Sequence, residues 1–114
     1  DIPTFLKSKE DEKKEDEALA AWVRSLPEPY CTELADLYAE MNALQTGEAR
    51  LYKTLDKLEA VIQHNEADIR TWEPHEYELN LTYANDIVAG TPYLEQLREA
   101  IRDDTKQKIA EAQK

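Results

Sequence analysis

The chain has 114 residues, a length suited to a single domain with one modest core. Apolar residues make up 41% and charged residues 34%, enough to fold and enough to demand a wide solvated face, while 25 acidic against 14 basic residues leave a formal charge of −11. That charge argues against duplex nucleic acid and anionic membranes as partners, and two glycines are too few for an all-β fold or a phosphate-cradling glycine loop.

Helical periodicity starts at Ser8, a good N-cap followed by Glu10, Asp11 and Glu12, which suit the positive end of a helix dipole. Leu19, Trp22, Val23 and Leu26 give this first helix its apolar spacing, and Pro27 and Pro29 end it. The charged run from Lys7 to Glu17 reads as a solvated helix end. A second helix is predicted from about Glu28 to Leu44, with Leu34, Leu37, Tyr38, Met41 and Leu44 assigned to the core. Thr46 can cap a third helix reaching about Asn65, whose stripe is Leu51, Tyr52, Leu55, Leu58 and Ile62. Asp56 falls about 110° from the centre of that stripe and Glu59 within about 50°, so two acids border the expected core.

Between Asp68 and Gly90 the signals conflict. Thr71 to Pro74 look like a helix start, whereas Tyr77, Leu79, Leu81 and Tyr83 alternate as a strand would; helix is preferred because no partner strand is visible. Gly90, Thr91 and Pro92 then open a last helix striped by Leu94, Leu97, Ile101 and Ile109, with Thr91 as cap and a tail from Lys106 expected to fray. The expected fold class is therefore all-α, with about five helices over residues 8–112.

His64 and His75 are the only histidines; neither precedes an Asp nor stands four residues from the other, and His64 lies two turns beyond Asp56, too far to share an ion with it on a straight helix. Cys31 is the single cysteine, so no intrachain disulfide forms, and a cytoplasmic setting is the simpler expectation. Its ordinary reading is a buried or half-buried small side chain. No apolar stretch approaches the roughly 20 residues of a membrane span. On spacing alone Asp56 is as well explained by a solvated helix flank, beside Lys53 and Lys57, as by a site.

Three segments in order carry a resemblance: Asp1-Ile2-Pro3-Thr4, the run Ala49-Arg50-Leu51-Tyr52-Lys53-Thr54-Leu55-Asp56-Lys57-Leu58-Glu59, and residues 63–83. Together they resemble the HD-domain hydrolases of the bacterial 5′-deoxynucleotidase type, a helical fold, here without its amino-terminal helices. The resemblance implies a divalent metal ion such as Mn, Co or Mg, held by a His, a His-Asp doublet and a later Asp, and Asp56 matches that last ligand. Asp1, Ile2, Pro3 and Thr4 match a substrate-contacting loop, so residues 1–7 would be its remnant, and Glu59 could support the site from behind. The first His, the doublet and the Gly before the loop are missing, and the chain opens at Asp1 without an initiator Met. The expectation is thus the carboxyl-terminal part of one HD domain, inert alone, whose partner is the missing amino-terminal half. The complete protein would be a homodimer hydrolysing nucleoside 5′-monophosphates to nucleoside and phosphate. The competing expectation is a non-catalytic helical interaction module that keeps the scaffold. The hydrolase reading needs the Asp56 carboxylate to point inward, towards a cavity.

Overall fold

A computed structural model describes residues 7–114, and these separate into two compact units, one up to Arg50 and one from Leu51 onward. The described residues are helical and contain no strand, in line with the all-α expectation.

In the first unit, α1 spans Lys9–Arg24 and α2 Tyr30–Ala43. Ser8 and Asp11 form a reciprocal capping box: the Asp11 N–H donates to Ser8 Oγ at 3.2 Å and the Ser8 N–H to Asp11 Oδ2 at 3.1 Å. Two N–H groups that helix geometry leaves without partners are satisfied in this way. Cap, dipole and stop signal all agree here, which is why the sequence places α1 well. The core role expected of α2 is not observed. Leu34, Tyr38 and Met41 are half-buried, Leu37 and Leu44 are exposed, and no residue of α2 is fully buried, because a helix packed on one neighbour covers only part of a stripe.

α3 runs from Gly47 to Glu66, crossing from the first unit into the second, and Thr46 caps it as predicted, its Oγ1 accepting the Ala49 N–H at 3.1 Å. In the second unit the chain continues through a 3-10 turn, Ile69–Thr71, into α4 (Glu76–Thr82), α5 (Asn85–Val88) and α6 (Pro92–Ala112). The stretch of conflicting signals is thus helical but divided in two, with Ala84 between the pieces at φ 71°. Gly90, at φ 90°, turns the chain from α5 into α6, a conformation that L side chains adopt only with strain. Thr91 occupies the N-cap without a side-chain cap bond, and Pro92 pre-sets the first turn. The expected fraying from Lys106 is not seen; α6 stays helical to Ala112.

The apolar core belongs to the second unit: Leu58 and Val61 of α3, Ala84, Val88 of α5, and Leu94 and Ile101 of α6. Each large member contributes on the order of 2 kcal/mol through removal of apolar surface from water. Polar side chains then bolt the helices together. Asn65 Nδ2 donates to the Ile101 carbonyl at 3.2 Å, and Thr105 Oγ1 donates to Asn65 Oδ1 at 2.9 Å, joining the end of α3 to α6. Trp72, buried, donates its Nε1–H to the His64 carbonyl at 2.9 Å and satisfies part of the carboxyl end of α3. Asn65→Ala removes both hydrogen bonds between the end of α3 and α6, while the buried Thr105 hydroxyl keeps the Ile101 carbonyl as acceptor at 3.1 Å. The substitution is expected to cost roughly 1–2 kcal/mol, read as a lower urea midpoint at unchanged slope.

Candidate functional site

The sharpest sequence candidate sits on α3, and its surroundings follow from which face of that helix is covered. Thr54, Leu58 and Val61 are buried, at 2%, 1% and 0% exposure. Their spacing of four and three residues draws one narrow face. Of the predicted stripe only Leu58 lies on it; Leu51, Tyr52, Leu55 and Ile62 are exposed. At 100° per residue the buried face is centred about 80° away from the predicted one, so α3 has two apolar arcs and the second unit covers the one with the smaller residues.

Asp56 lies about 170° from the centre of the buried arc. Its side chain is 61% exposed, and its nearest cation is Lys53, with Nζ 4.0 Å from Oδ2. The carboxylate therefore does not turn inward, contrary to expectation, because the helix is rotated to bury Thr54 and Val61 instead. A pair this exposed contributes little to stability. Glu59, also exposed, accepts a hydrogen bond from Gln63 Nε2, so the two acids have separate neighbours and do not converge. Asp1, Ile2, Pro3 and Thr4 lie outside the described residues.

Neither histidine joins Asp56. His64 turns towards the second unit's interior, with Nδ1 3.0 Å from Asn80 Oδ1, and its ring meets Trp72 with centroids 6.4 Å apart. His75 is exposed at the entry to α4. Cys31 is half-buried, as expected, and lines a cavity of about 280 Å³ between α1 and α2, whose apolar walls include Leu19, Val23 and Ala35.

Among the described residues no three His, Cys, Asp or Glu side chains gather where they could hold a metal ion. A single exposed carboxylate leaves a divalent ion most of its water shell. The described residues therefore do not by themselves fit a catalytic metal, and no step of a reaction can be derived through one. No helix among them is long and apolar enough to cross a membrane.

The strongest electrostatic feature was not singled out from the sequence. Arg98 of α6 is 1% exposed, and burial together with the like charge of Arg102 draws its guanidinium down to about 10, still cationic at neutral pH. Its Nη2 donates to the Asn80 carbonyl at 2.8 Å, while Arg102 Nε donates to the Leu81 carbonyl at 2.9 Å. The signal was available, since Leu94, Arg98, Ile101 and Thr105 are in phase on one face of α6 and all four are buried. On the surface, side-chain and backbone hydrogen bonds from Arg70 hold Asp68 down to about 2, well below the usual carboxylate range.

A family model described as the HD domain matches residues 1–108. No curated protein and no solved structure matches the chain significantly.

With so few donors on α3, millimolar Mn²⁺ or excess chelator is expected to leave the thermal midpoint of the 114-residue chain within about 1 °C of its starting value. Differential scanning calorimetry with each addition checks this.

Proposed function

Because the chain belongs to the HD-domain family, we propose that it is part of a metal-dependent phosphohydrolase that converts nucleoside and deoxynucleoside 5′-monophosphates to nucleoside and phosphate. In this reading Asp56 is one metal ligand, and the histidines and second carboxylate come from a polypeptide segment not contained in this chain. Asp1 to Thr4 would meet the nucleotide, and Glu59 would support the site without touching the ion. The 114 residues alone are then inert.

The observation that carries the reading is the company Asp56 keeps on α3. Its carboxylate borders the exposed arc of Leu51, Tyr52, Leu55 and Ile62, residues that are 36–54% exposed. Large apolar residues aligned along a helix are stabilised by being covered. Further helices laid on this arc would bring their side chains beside Asp56 and exclude water from it, which is what a ligand carboxylate requires. A non-catalytic helical module is the second reading, favoured by the present exposure of Asp56 and the absence of converging donors among the described residues.

The test uses a polypeptide extended to include the His and His-Asp residues that the family uses. Release of phosphate from nucleoside 5′-monophosphates is measured with and without Mn²⁺. Metal-dependent release that falls at least about a hundredfold in Asp56→Ala is the expected result, since loss of a ligand costs more than the 10–100-fold typical of groups behind it. A metal-replete extended protein that folds but releases no phosphate overturns the hydrolase reading and leaves the interaction module.

A further inference from the structure

Arg98 is a buried cation with incomplete partners. Of its three nitrogens, Nη2 reaches the Asn80 carbonyl, whereas Nε and Nη1 have no hydrogen-bond partner and no contact with solvent. No carboxylate among the described residues stands within ion-pair distance of it. Burying a charge so incompletely paired is costly, and structures retain such groups where something else completes them. The carbonyl end of α4 offsets part of the charge through its dipole, but it faces only one nitrogen.

Beside Arg98 a cavity of about 260 Å³ opens between α5 and α6. Asn85, Val88 and Ala89 form one wall, and Arg98 and Arg102 the other. Two acids also line it, and each is already engaged. Glu95 Oε1 accepts the Gly90 N–H at 2.7 Å, and Glu99 Oε2 pairs with Arg102 Nη1 at 2.5 Å. Two guanidiniums thus share one cavity; burial first, and the like charge of Arg102 second, draw Arg98 down while Glu99 opposes them, and further negative charge in the cavity would favour the buried cation.

We propose that this cavity is a binding site for a small oxyanion, a phosphate or carboxylate group, held between Arg98 and Arg102. The site is separate from Asp56 and independent of the hydrolase reading. Glu99 is 60% exposed and its pairing with Arg102 is of the surface kind, easily exchanged. An arriving anion takes the place of the Glu99 carboxylate on Arg102, beside the enclosed N–H groups of Arg98. Guanidinium suits this task because its N–H groups lie in one plane and match pairs of anionic oxygens. The chain's overall negative charge opposes non-specific anion binding, so any uptake has to come from this local pair.

The test follows the arginine Nε–Hε signals by NMR while the 114-residue chain is titrated with inorganic phosphate, with acetate, and with chloride at matched ionic strength. The Arg98 and Arg102 signals are identified by through-bond assignment to their backbone amides, and the loss of one in Arg98→Lys confirms it. Saturable movement of the Arg98 and Arg102 signals with phosphate or acetate, but not with chloride, is expected, and the tighter of the two names the class of oxyanion. Glu99→Gln, which removes the competing carboxylate at an exposed position, is expected to tighten binding about tenfold. Ala89→Glu, which adds a carboxylate to the cavity wall, is expected to abolish it. Both variants avoid the buried arginine, so a failure of Arg98→Lys to fold leaves the test intact. Signals that move no further with phosphate and acetate than with chloride overturn the proposal, as does a Glu99→Gln affinity equal to that of the parent.

Discussion

The second unit depends on two arginine side chains of α6 donating to the last carbonyls of α4. A helix of seven residues leaves most of its backbone groups without intrahelical partners and would not persist alone in water. Arg98 meets the carbonyl of Asn80, and Arg102 that of Leu81, so positive charge lies against the negative end of the helix where the orphaned acceptors are. Asn80, with no exposed surface, also meets His64 of α3 through its side chain, so one residue ties α4 to both long helices. α4 exists because its neighbours complete it.

That constraint determines how α3 is turned. With Asn65 fastened to the Ile101 carbonyl and to Thr105, and His64 directed at Asn80, the face of α3 that meets α6 has to carry Leu58 and Val61. Asp56, on the opposite side, is exposed as a consequence. The large apolar residues Leu51, Leu55 and Ile62 lie between these two sides and remain uncovered in the described residues. A helix with apolar residues over so wide an arc is built to be covered on more than one side. This is the physical content behind assigning Asp56 to a site that the described residues alone do not complete.

The two charged features of the second unit differ in kind. Asp56 is a lone acid in water, paired loosely with Lys53, and acquires chemistry only if other groups are brought to it. Arg98 is buried, cationic and short of partners within the fold itself. Periodicity signals the second kind poorly, because a stripe is normally read from its apolar members and a charged residue in phase with them is taken as an interruption.

Local chemistry was legible in the residues themselves. Ser8 with Asp11, Thr46 before Gly47, and Thr91 with Pro92 mark helix starts because the groups concerned are neighbours along the chain, and the structure begins helices at each. The all-α class followed for the same reason. What only tertiary packing decided was rotation. Side-chain size along α3 favours the arc of Leu51, Tyr52, Leu55 and Ile62, whereas the structure buries Thr54, Leu58 and Val61, because hydrogen bonds between Asn65 and residues 36 and 40 positions further on hold the end of that helix. No window of a dozen residues contains both partners of such a bond, so the side on which Asp56 emerges could be known only once α3 and α6 had met.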